Sequence, residues 1–182
     1  MNNKKLLQTS ALVLLAALGT SYSQAEVVNG PDLPNQNSGW TDTGLQITAL
    51  QDATLDSFVF QTDGYNDTIE LTLTDGTVLD AIPFTGDGGT KESSTITAGW
   101  DLTAGTTYNL ISVNDENSYW NGFSFPVSDD DLTVDGGYGN GEIQPAYWFH
   151  FNDLTTGAAV PEPTTLALAG LGGAALLFRR RK

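Results

Sequence analysis

From residue 45 onward apolar side chains recur at every second position, and each run stops at a cluster of Gly, Asp or Asn. Leu45, Ile47 and Ala49 alternate with Gln46 and Thr48, Phe58 and Phe60 flank Val59, and Tyr108 and Leu110 share a face. Near the end of the body Tyr147, Phe149 and Phe151 alternate with Trp148, His150 and Asn152. A period of two is the signature of a half-buried strand, and no helical period competes with it in the body of the chain. About eight short runs of this kind, separated by turn residues, predict an all-β fold: a single antiparallel β-sandwich, with a jelly-roll-like topology as the expected arrangement. No segment repeats at a fixed spacing, which argues against a propeller or β-helix.

Local signals refine this reading. Asp75-Gly76, between the apolar runs 69–74 and 77–79, predicts a two-residue hairpin turn, because Asp-Gly tolerates the positive φ angles such a turn needs. Ala104-Gly105 predicts a turn into the strand carrying Tyr108. The polar stretch 86–94 reads as a loop, and the aromatics from Tyr119 to Phe125 read as another strand. The expected boundaries are a signal peptide at 1–25, a lead-in segment at 26–44, the sandwich at 45–152, a linker at 153–159 and a tail at 160–182. Cysteine is absent, so the core must hold without disulfides.

The two ends read as targeting segments. Lys4 and Lys5 precede an apolar run centred on Leu12 to Leu18, and Ser23-Gln24-Ala25 sets small residues where signal peptidase reads them, predicting cleavage between Ala25 and Glu26. The tail begins Val160-Pro161-Glu162-Pro163 and continues in an uncharged segment that opens at Thr164 and closes at Phe178. That segment, as a helix, spans roughly 22 Å, short of the ~30 Å hydrocarbon core of a bilayer. It reads as a marginal transmembrane helix. Arg179, Arg180, Arg181 and Lys182 follow, and positive charge stays cytoplasmic, so the body lies on the other side of the membrane. Pro161 and Pro163 keep the chain extended where it leaves the bilayer.

Val-Pro-Glu-Pro, a short apolar segment and a terminal arginine cluster, in that order, resemble the tail of the PEP-CTERM proteins of Gram-negative bacteria. The resemblance covers Val160 to Lys182 only. It implies a substrate of exosortase, a multi-spanning membrane protease that recognises the Pro-Glu-Pro region, in bacteria that make extracellular polysaccharide and biofilm matrix. It implies nothing about the body, because that family shares a tail.

Charge narrows the partners. Residues 26–160 hold 21 of the 22 acidic residues against Lys91 alone, a net of 20 negative charges. Such a surface repels the phosphates of nucleic acids and anionic membranes, so nucleic acid is excluded as a partner. Asp129, Asp130, Asp131 and Asp135 are candidate hard oxygen ligands for a structural calcium, as are Asp63 with Asn66 and Asp67, and Asp115 with Glu116. None matches the twelve-residue helix-loop-helix calcium loop, since the glycine that loop needs is replaced by Thr68 or Val134. No cofactor is certain.

Trp40, Trp100, Trp120 and Trp148, with Tyr119, Tyr138 and Tyr147, are rings of the kind that stack on sugars, although a small sandwich uses most such rings as core. Tyr138 stands out, because Gly136-Gly137-Tyr138-Gly139-Asn140-Gly141 reads as an exposed loop tip. Trp120, between Asn117 and Asn121, is the second candidate. Catalysis is the weakest reading. His150 is the one histidine, no thiol exists, and no carboxylate pair is singled out for glycan hydrolysis. The expectation is a non-enzymatic, exported surface or matrix protein, structural or adhesive, associated with extracellular polysaccharide. The alternative is a carbohydrate-binding module with one aromatic site.

Overall fold

A computed structural model describes residues 25–31, 40–62, 64–88, 92–114 and 119–158. The expected sorting motif Val160 to Pro163, the apolar segment 164–178 and the basic cluster 179–182 lie outside the described residues, as does the signal peptide up to residue 24.

The described chain is all-β, with no helix among the described residues. One sheet has four strands in the order β1 (Glu26–Val28), β13 (Phe151–Ala158), β3 (Ala53–Thr62) and β6 (Glu92–Leu102). The larger sheet runs β11 (Glu142–Gln144), β10 (Leu132–Gly139), β2 (Thr43–Ala49), β7 (Thr107–Ser112), β4 (Asp67–Leu73) and β5 (Val78–Phe84), with β9 (Val127–Ser128) paired to β10. A two-stranded sheet joins β8 (Tyr119–Asn121) to β12 (Tyr147–Phe149). All of these pairings are antiparallel.

The core follows the period of two. Leu45 and Ile47 of β2 lie beside Leu110 and Tyr108 of β7, and Leu71 of β4 continues the Leu45 row. Facing them, Leu55, Phe58 and Phe60 of β3 meet Phe151 of β13 and Trp100 of β6, with the Phe58 and Phe151 rings edge to face at 5.3 Å. Each such aromatic buries of the order of 150–250 Å², which is how a domain without disulfides assembles enough core. β5 overhangs this arrangement. Its residues 78–81, on the edge strand of the larger sheet, are exposed, including Val78 and Leu79.

The sandwich is longer at both ends than the expected 45–152. Glu26, Val27 and Val28 form β1 on the outside of β13, paired with Thr156, Thr155 and Leu154, and Val28 enters the core. A three-residue run is too short to show a period, so the lead-in segment hid a strand. The expected linker 153–159 is strand up to Ala158, with Leu154 and Thr156 buried. Asp153, at a φ of 46°, interrupts the alternation there and disguised the strand. What reads as one final strand through Phe151 is two. The chain turns at His150, whose φ is 48°, and passes from the two-stranded sheet into the four-stranded one.

The hairpin at Asp75-Gly76 exists, with a different turn. The Gly76 amide donates to the Leu73 carbonyl and the Leu73 amide to the Thr77 carbonyl, and Gly76 has a φ of 86°. This is a three-residue connection with one left-handed glycine, not a two-residue turn with two. The turn at Ala104-Gly105 stands as expected, with Gly105 at a φ of 74°. The aromatic strand expected from Tyr119 to Phe125 stops at Asn121, and Phe123 and Phe125 leave it to pack on Trp148.

Candidate functional site

The strand that leads to the tail is clamped at its end. Asp131, 1 % exposed, accepts a hydrogen bond from the Thr156 hydroxyl on β13 at 2.9 Å and another from the Gln51 side-chain amide. Its neighbour Asp129 turns one oxygen back to accept from the amides of Asp131 (2.9 Å) and Leu132 (2.7 Å), closing a tight aspartate turn. The Asp130 amide donates to Glu26 Oε2 at 2.8 Å, so the start of β1 joins the same cluster.

These contacts show what the proposed ligands do. Asp131 faces inward, Asp129 caps a turn, and Asp135 accepts from the Thr48 hydroxyl at 2.6 Å on the outer face of the larger sheet. Asp67 accepts from the Ser112 hydroxyl and from the amides of Thr68, Val113 and Asn114, which fixes the loop after β7. Among the described residues no group of three or more His, Asp and Glu side chains is gathered to hold a metal ion. Asp63, Asp115 and Glu116 lie outside them. Asp129 Oδ2 is buried without a hydrogen-bond partner. Burial pushes this carboxyl above the ordinary carboxylate value, the negative charges of Glu26 and Asp131 add to the effect, and the two amide donors oppose it.

His150 anchors the opposite end. Its ring is fully buried, with Nε2 2.8 Å from the Thr43 hydroxyl and Nδ1 3.1 Å from the Gln61 carbonyl. A carbonyl can only accept, so Nδ1 carries the proton and Nε2 accepts from Thr43. Burial lowers the pKa of His150 from 6.5 to about 4, against the raising effects of the Gln61 carbonyl and the Asp67 charge. The ring is neutral at pH 7. A hydroxyl beside a histidine resembles a nucleophile and its base, but both groups are sealed from solvent, and so weak a base is poorly matched to proton transfer near neutrality.

The aromatics divide evenly. Trp100 and Trp148 are core, while Trp40 is half-buried and Trp120 is 43 % exposed. Tyr138 is not in a loop. It lies in β10 and is half-exposed, and its cross-strand row continues through Gly44 to Ile111, placing it on the outer face of the larger sheet. Gly136, Gly137 and Gly139 are strand residues set by close packing, while Asn140 and Gly141, at φ of 53° and 81°, make the turn into β11. A Cβ on Gly137 would come within 2.0 Å of the Tyr147 carbonyl oxygen, and one on Gly139 within 2.8 Å of the Trp40 ring. Tyr138 and Trp120 therefore sit on different sheets. A grouping not read from the sequence is Trp40, Tyr119 and Tyr147 around Phe149, with Trp40 and Tyr147 centroids 4.9 Å apart and Tyr119 and Tyr147 5.7 Å apart. All three are half-buried. Its members come from distant parts of the chain, so no local pattern announces it.

The fold and its ends define an all-β sandwich with an added sorting segment that begins where the last strand stops. The family model for the PEP-CTERM protein-sorting motif matches residues 159–182, so the chain carries that motif immediately after β13. The motif marks an exported protein that passes through a membrane-anchored stage and is processed by exosortase. No curated protein and no solved structure is significantly similar to the chain. No helix among the described residues is long and apolar enough to cross a membrane.

Proposed function

We propose that the sandwich is a structural or adhesive protein of the cell surface or extracellular matrix, associated with extracellular polysaccharide. The observation that carries this reading is a sorting motif attached to a domain, residues 26–160, that sets 21 acidic residues against Lys91 alone. Signal peptidase removes residues 1–25 on export, exosortase acts at Pro161-Glu162-Pro163, and the acidic domain reaches the outer surface. There its carboxylates bind polysaccharide through bridging calcium, which also relieves their mutual repulsion. The reading involves no catalytic step, in keeping with the sealed setting of His150.

A carbohydrate-binding module is the second reading, favoured by the exposed Trp120, the outward Tyr138 and the half-buried group of Trp40, Tyr119 and Tyr147. The test is binding of residues 26–158 to the host's own extracellular polysaccharide, with calcium and with chelator. Calcium-dependent, non-saturating binding supports the matrix protein. Saturable binding that survives chelator and falls on Trp120→Ala or Tyr138→Ala replaces it with the binding module. No binding in either condition removes both.

A further inference from the structure

The sorting motif starts at residue 159, directly after β13. Ala158 is the last residue of β13 and pairs with Ala53 of β3, and Pro161 is three residues further on. Three fully extended residues span about 10 Å. Even with Gly157 and Ala158 peeled from β3, the reach from Thr156 to Pro161 is about 17 Å. An enzyme that holds Pro161-Glu162-Pro163 therefore has this end of the sandwich against it.

That end is a firm surface. It consists of residues 50–52, 103–106 and 129–131 together with the start of β1. The Leu50 amide donates to the Asp131 carbonyl (2.8 Å), the Gly105 amide to the Ala49 carbonyl (2.8 Å) and the Ala104 amide to Asp52 Oδ1 (2.8 Å). With Asp131 gripping Thr156 and Gln51, the three connections and β13 are bound to one another. Leu50 stands 51 % exposed on this surface, and Asp52, Asp101 and Asp130 are exposed at the same end of the sandwich. Asp56, also exposed, lies over β13, for a Cβ on Gly157 would come within 2.6 Å of its Oδ2.

We propose that this end of the sandwich is a docking surface for the exosortase that takes the tail, an acidic surface with an exposed leucine that fits a basic surface on that membrane enzyme. The inference takes exosortase processing as its starting point and adds a second contact beyond the sorting motif. Anionic lipid headgroups do not fit this surface, because its aspartates would repel them.

The chain has no cysteine, so one introduced cysteine gives a unique attachment point. Full-length chains carrying Leu50→Cys, Asp130→Cys or, at the far end of β10, Glu142→Cys are labelled with a short photo-crosslinker in host membranes holding an epitope-tagged exosortase. The tagged enzyme is captured from positions 50 and 130 severalfold more than from 142. Equal capture from both ends, or adducts with lipid alone at 50 and 130, overturns the proposal.

A second measurement follows tail removal by pulse-chase. Asp101→Lys with Asp130→Lys slows it about tenfold, because the short connection then forces like charges against each other, whereas Asp80→Lys with Glu142→Lys, an equal change in charge away from the tail, leaves it unchanged. Inserting about twelve Gly and Ser residues after Ala158 relieves the defect, because the reversed end no longer has to meet the enzyme. Equal rates for the two double variants, or a defect that the insertion leaves in place, overturn the docking surface. Tail removal that persists after Pro161→Ala with Pro163→Ala instead removes the underlying exosortase step, so the two failures are distinguishable.

Discussion

The two ends of the sandwich bury polar groups by opposite means. At the tail end a carboxylate, Asp131, is kept inside by hydroxyl and amide donors from β13 and the β2–β3 connection. At the far end an imidazole, His150, is kept inside by losing its charge. Among the described residues no lysine or arginine stands beside either group. The domain substitutes neutral donors for the acid and a fixed tautomer for the base. The difference has a consequence for pH. Acid should weaken the His150 end and relieve the end that holds Asp129.

The largest effect is expected from Asp131→Ala. Two hydrogen bonds to a charged acceptor are lost and the buried Thr156 hydroxyl loses its partner, a cost of about 3–4 kcal/mol. Denaturant melts of residues 26–158 check the magnitude. Hydrogen exchange should show β1 and β13 opening first, and uniform loss of protection across both sheets would mean that Asp131 is no local clamp.

Acidification comes next. The folded pKa of His150, about 4, lies below its unfolded value of 6.5, so between these values the unfolded chain binds a proton that the native state excludes. Stability therefore falls as pH drops from 6.5 toward 4 and levels off below, a loss of about 3 kcal/mol at 1.36 kcal/mol per unit. His150→Gln should remove this slope in melts repeated across that window. A slope that survives the substitution would place its origin elsewhere.

Gly137→Ala tests the packing near the far end. Its methyl group would meet the Tyr147 carbonyl and force β12 from β10, costing about 2 kcal/mol and altering the near-UV signal of the Trp40, Tyr119 and Tyr147 group.

The smallest effect is Asp129→Asn, which keeps the acceptor for the two turn amides and removes a half-buried charge. Its folded pKa is raised, so the native state binds more protons than the unfolded chain above pH 3.8, and the acid form is the better tolerated one. The substitution should stabilise the domain at pH 7 by less than about 1 kcal/mol, solvent screening being substantial at this site. Destabilisation at pH 7 would break the contrast between the two ends.

The strands with strong alternation, such as β2, β3 and β4, were legible in the sequence because one face of each is core. β1 and the second half of β13 were not, since three residues carry no period and Asp153 interrupts the other. The glycine-rich stretch around Tyr138 was misread for a physical reason. Glycine signals a turn when it takes positive φ, yet Gly136, Gly137 and Gly139 are strand residues that make room for Ile143, Tyr147 and Trp40. The aspartates at 129–131 were legible as a cluster. Their tasks were not, because a carboxylate that caps a turn and one that clamps a strand share the same letter.

The sequence by itself determined the address and the class. A Pro-Glu-Pro motif followed by an apolar segment and arginines is a linear signal, read by a membrane enzyme from consecutive residues, and period-two patterning is local to each strand. Tertiary structure decided which acids are buried, which aromatics are exposed, and that β1 closes against β13 beside the tail. Those outcomes depend on pairings such as Glu26 with Thr156 and Thr43 with His150, between residues more than a hundred positions apart, and only the assembled sandwich brings them together.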